Sequence, residues 1–108
     1  AVLNISHGGT SGLITFSGQF NSNALTSAGS ALVFEADGGA VINVGVIADN
    51  ILTEGTGSGF DITTDNNAST AINFTNTVDM ATLQSDNQSA TETYSSGDTN
   101  ICFTGGCI

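Results

Sequence analysis

The chain has 108 residues, with ten Asp and Glu, one His, no Lys and no Arg, giving a formal charge of −10. Without cations to neutralise phosphates, nucleic-acid binding and adhesion to anionic lipid through a basic patch are excluded, and the acids have no intramolecular ion-pair partner beyond the α-amino group and a protonated His7. The length suits one domain with one small core, and the densest apolar stretch, residues 40–48, is interrupted by Asn43 and Gly45, far short of a membrane span.

Val, Ile, Thr and Phe recur in short bursts between Gly, Ser, Asn and Asp, a pattern that predicts an all-β fold. Residues 1–6 are a short apolar segment. Gly8, Gly9, Ser11 and Gly12 then make a flexible connection, so residues 1–12 read as an N-terminal extension with its hinge and residues 13–108 as a single β domain. Residues 13–20 alternate, with Ile14, Phe16 and Phe20 on one face and Thr15, Ser17 and Gln19 on the other. After a polar loop, residues 31–36 carry Leu32 and Phe34 on one side and reach the turn Asp37-Gly38-Gly39. Residues 40–48 follow with Ile42, Val44 and Val46 on one face, and the two segments predict a β-hairpin closed at residues 37–39. Residues 60–64 end in Asp65-Asn66-Asn67, and residues 71–78 alternate through Ile72, Phe74 and Val78. Over residues 79–85, Met80, Leu83 and Gln84 have helical spacing, which predicts one or two helical turns. Residues 91–94 and 100–103 are the last strands, before Gly105-Gly106. About seven short strands predict a β-sandwich or jelly roll. A parallel β-helix ranks second, because it requires a repeat near twenty residues that the apolar spacing does not show.

The residues that carry chemistry point away from an enzyme. His7 is the one imidazole and sits beside two glycines, without the rigid surroundings that orient a general base. The ten carboxylates provide pairs for glycoside hydrolysis, but with no Trp and one Tyr the chain lacks the aromatic platforms of a sugar cleft. The segment 8–12 has the glycines of a phosphate loop and no lysine after it. Residues 61–67 and 35–37 bring together oxygen ligands that would suit Ca²⁺ at a loop or intersubunit site, an alternative that stands although the spacing matches no calcium loop. The leading expectation is no resident metal or cofactor, although cations between acidic subunits would ease their packing. Cys102 and Cys107 flank Phe103-Thr104-Gly105-Gly106, a spacing that predicts a disulfide hairpin at the C-terminus, with pairing between subunits as the alternative. Asn4, Asn67, Asn73 and Asn87 head sequons for N-glycosylation, in a number that chance placement explains. A chain that opens on Ala1, with its one methionine at position 80, predicts removal of a leader and export from the cell.

The extension is the feature that goes beyond a generic β domain. Val2, Leu3 and Ile5 on a tether hinged at Gly8 and Gly9 have the form of a donor strand, which adds to an open sheet edge of a neighbouring subunit. Through Gly8-Gly9 leading into Gly12-Leu13-Ile14-Thr15-Phe16-Ser17-Gly18, the chain resembles donor-strand-complemented pilins, both bacterial chaperone–usher subunits and archaeal bundling-type pili. The resemblance covers about twenty residues. It implies a structural subunit of an extracellular, cell-surface filament that polymerises with copies of itself by N-terminal strand donation. The short chain and the C-terminal position of both cysteines depart from the chaperone–usher pattern. The competing expectation for residues 1–6 is a first strand kept in its own domain. Two other functional classes remain, a viral capsid decoration or fibre protein and a secreted binding module.

Overall fold

A computed structural model describes residues 3–7, 12–65, 67–88, 92–94 and 100–108, with His7, Glu92 and Tyr94 described through their backbone alone. Among the described residues the fold is all-β apart from one short helix. Its elements in chain order are β1 (Leu3–His7), β2 (Gly12–Asn21), β3 (Ala24–Thr26), β4 (Leu32–Ala36), β5 (Ala40–Ala48), β6 (Ile51–Thr53), β7 (Phe60–Thr64), β8 (Ala71–Phe74), α1 (Met80–Asp86), β9 (Glu92–Tyr94), β10 (Ile101–Phe103) and β11 (Gly106–Cys107).

The strands stack as successive coils of a β-solenoid. One sheet runs β1-β4-β7-β9, a second runs β2-β5-β8-β10-β11, and a third pairs β3 with β6. Of the eight described pairings only β10–β11 is antiparallel. Each of the first three coils therefore visits the first sheet, the second and then the third side, where α1 replaces a strand in the third coil. This corrects the expected sandwich or jelly roll, whose pairs are antiparallel. It also corrects the hairpin predicted around residues 37–39: β4 pairs with β1 and β7, while β5 pairs with β2 and β8, so Asp37-Gly38-Gly39 is a corner between two sheets. The glycines serve a corner as they would a hairpin, because Gly38 and Gly39 have φ of 65° and 87°, a region that side chains disfavour.

Parallel, in-register stacking brings like residues into columns. Ile14, Ile42, Ile72 and Ile101 are register partners from coil to coil inside the second sheet. Leu3, Leu32 and Phe60 form one column of the first sheet, Ile5, Phe34 and Ile62 the next, and Leu25 and Leu52 meet in the third. Phe74 joins the columns across the interior, edge-on to Phe34 (ring centroids 5.4 Å) and stacked on Phe103 (5.1 Å). Leu32, Phe34, Ile42, Val44, Phe60, Ile62, Ile72 and Ile101 are completely buried. One extra residue in β2, between Phe16 and Gln19, bulges opposite Gly45. Beyond it Ile47 is buried and Val46 half-buried, so the alternation predicted for residues 40–48 changes phase there.

Corner side chains supply the hydrogen bonds that strands cannot. Asp65 Oδ2 accepts from Gly38 N–H (2.8 Å) and Thr70 Oγ1 from Gly39 N–H (2.8 Å), joining the second corner to the third. At the next corner Asn23, Asn50 and Asn87 form a ladder. Asn50 Oδ1 accepts from the backbone N–H (3.0 Å) and side-chain amide (3.1 Å) of Asn23. Asn50 Nδ2 donates to Phe20 C=O (2.9 Å) and Asn87 Oδ1 (2.8 Å). Asn87 Nδ2 donates in turn to the carbonyls of Ile47 and Leu83. The helix forms where helical turns are predicted, with Met80 and Leu83 buried, and it is capped by Asp79, whose side chain accepts from Thr82 N–H.

Candidate assembly surface

The solenoid has two unlike poles. At the N-terminal pole β1, β2 and β3 each have, among the described residues, one pairing neighbour, β4, β5 and β6, so a row of backbone N–H and C=O groups on each strand is left facing outward. The inward side chains of this coil meet a neighbouring coil on one side only: Leu3, Ile5, Ile14, Phe16 and Phe20 pack against the core yet remain half-buried. Leu13, on the outer face of β2, is 64% exposed. Natural sheet edges are commonly protected by charge or proline. Neither protects this coil, because the chain has no proline and all ten acids fall between Glu35 and Asp98. The first coil, which presents these three edges, thus carries no acid in a strongly acidic chain.

The C-terminal pole ends differently. Cys102 and Cys107 are register partners in the β10–β11 hairpin and are joined by a disulfide, so β11 covers the edge that β10 would otherwise present. Thr104 and Gly105 donate backbone hydrogen bonds to the carbonyls of Thr77 and Val78, which draws the hairpin against the segment leading into α1. Between them lies an open, mainly apolar groove of about 550 Å³ whose lining includes Val78, Met80, Phe103, Cys107 and Ile108. Val78 and Ile108 are 49% and 41% exposed. Replacing both cysteines by serine opens a very small loop, and on the chain-entropy relation this lowers stability by about 2 kcal/mol. Urea unfolding of the two forms reads the difference directly, and an unchanged midpoint would show that the hairpin holds without its bond.

The predicted site residues separate clearly. Leu3 and Ile5 lie in β1, in register with Leu32 and Phe34 of the same chain. Val2, Gly8 and Gly9 lie outside the described residues. Among the sequon asparagines, Asn67 is an exposed turn residue, and Asn4 is exposed on β1 with the Ser6 hydroxyl donating to its side chain. Asn73 donates to Asn43 on the outer face of the second sheet, whereas Asn87 is completely buried in the ladder and closed to a glycan in the folded protein. His7 is placed at the end of β1, opposite Ala36.

The acidic segments 35–37 and 61–67 meet at a corner, where Asp65 binds the backbone N–H groups of Gly38 and Asn67. These bonds, that from Gly38 foremost and the Thr70 hydroxyl next, hold its carboxyl below the ordinary carboxylate value. The Thr82 hydroxyl and backbone N–H do the same for Asp79. A lowered folded-state pKa stabilises above the ordinary value and loses that contribution as pH falls through the folded value, so both caps are fully formed at neutral pH. Among the described residues no group of three or more His, Cys, Asp or Glu is arranged to hold a metal ion, and no helix is long and apolar enough to cross a membrane.

Two features escaped the sequence reading. The asparagine ladder has as its signal Asn23 and Asn50, which stand at the same place in successive coils, each just beyond an alternating strand segment. The acid-free first coil could have been read from the absence of any acid before Glu35. Comparison of the chain with protein-family models, curated proteins and solved structures finds no match.

Proposed function

We propose that the protein is a structural subunit of an extracellular filament that assembles with copies of itself through its first coil. The observation that carries this reading is the N-terminal pole: three strand edges with unpaired backbone groups, half-buried apolar columns, and no acid to oppose the approach of another −10 chain. Unprotected strand edges pair with other chains when brought together. Like-charge repulsion disfavours contact through the acidic remainder of the surface. The intrachain disulfide supports an oxidising, extracellular setting.

In this reading β1 stays on its own β4 and forms part of the pole, which departs from strand donation. Only residues 8–11 link β1 to β2, a span of roughly 14 Å when fully extended, and this limits how far a donated strand reaches. A disulfide between Ser6→Cys and Glu35→Cys, exposed register partners on β1 and β4, would fix β1 in place. Electron microscopy of purified protein should show ordered filaments for the wild type and for the locked variant alike. Filaments lost on locking and recovered on reduction would establish strand donation instead, and dispersed wild-type monomers at high concentration would overturn the filament reading.

A further inference from the structure

The proposed filament requires a second surface on each subunit, and we infer that the apolar groove at the C-terminal pole is the seat for the first coil of the next copy. This rests on the filament reading and gives it a direction. Exposed apolar residues support the pairing: of the four large hydrophobics that are well exposed among the described residues, Leu13 lies on the outer face of the first coil, Val78 and Ile108 lie on the groove, and Ile51 lies on the outer face of the second coil.

Charge supports the same choice of occupant. The chain before Glu35 and the C-terminal hairpin carry no acidic side chain, and Asp79 at the groove is engaged in capping α1. A second copy presenting its first coil therefore brings no acidic side chain to the groove. Because the two surfaces differ, the contact is heterologous, and each added subunit leaves one free pole of each kind, the condition for open-ended growth. A two-fold contact between two first coils would close as a dimer.

Two variants at exposed positions separate these arrangements. Val78→Asp blocks the groove and leaves the first coil intact, and Leu13→Glu does the reverse; an unchanged melting temperature verifies the fold of each. Sedimentation velocity and electron microscopy are expected to show filaments for the wild type and a critical concentration raised at least tenfold for either variant alone. An equimolar mixture of the two is expected to form a heterodimer, since one good groove meets one good first coil. Dimers formed by Val78→Asp alone would overturn the inference in favour of two first coils in contact, as would undiminished filaments of that variant. A wild type that forms no filament would instead remove the functional reading beneath it.

Discussion

Truncating Phe74 to alanine should lower stability by about 4 kcal/mol, the range for a fully buried phenylalanine. Its ring is 1% exposed, edge-on to Phe34 and stacked on Phe103, so it ties the first sheet to the second and the third coil to the fourth. The cavity would open where coils meet on both sides and the backbone is held by ladder bonds, which leaves little room for collapse. For a domain of this size the loss corresponds to a fall in melting temperature of roughly 20 °C. Phe16 is the internal control. It heads the same column through Val44 but stands at the open pole, half-buried, and its truncation should cost about half as much in urea unfolding. Equal losses at the two positions would show that the first coil is as tightly enclosed as the third.

The second large effect is expected at Asn50. Alanine there removes four hydrogen bonds at once and leaves the Phe20 carbonyl and the Asn87 side-chain oxygen without the amide that now serves them. A net value near 1 kcal/mol per bond, with further cost for groups left unsatisfied in the interior, gives a loss of about 3–4 kcal/mol. Asn73 makes one side-chain bond, to Asn43, on the outer face, and its replacement by alanine should cost less than about 1 kcal/mol because water substitutes there. Thermal melts of both variants test the contrast, and a mild Asn50→Ala would mean that the corner holds by backbone bonds alone.

The sequence disclosed strands more readily than their arrangement. Alternation at Ile14 and Phe16, and at Leu32 and Phe34, reports that one face of a strand is buried, and this holds in a sandwich and in a solenoid alike. What distinguishes the two is the partner of each strand, and that information lies in the spacing between coils. The register pairs Leu3–Leu32, Leu32–Phe60, Phe60–Glu92 and Ala24–Ile51 all differ in spacing, and each coil is nearer thirty residues than twenty. Loops of unequal length at the corners erase a fixed period, and a search near twenty residues misses a coil of this size. Asp37-Gly38-Gly39 misled for a physical reason: positive φ reverses a chain into a hairpin or bends it around a corner, and only the pairing of β4 and β5 decides which. The helix was legible because Met80, Leu83 and Gln84 have helical spacing, and the first two are its buried residues. The assembly surface was only half legible, since Leu3 and Ile5 stood out as apolar while the open edges of β2 and β3 depend on which strands stack beneath them.

The disulfide hairpin closes one pole and the first strand lies at the other, so the two ends of the described chain are separated along the axis on which the coils stack. Hydrogen bonds between parallel coils run along that same axis. A pull on the two ends thus loads these bonds in series, opening the structure in the manner of a zip instead of shearing whole sheets together. Each coil peeled away releases about 100 Å of chain, at roughly 3.5 Å per residue, while the cysteine-bonded loop withholds its own short length. The molecule is weakest against tension along the solenoid and strongest against forces across it, and any load it meets would be extended over several small releases rather than one.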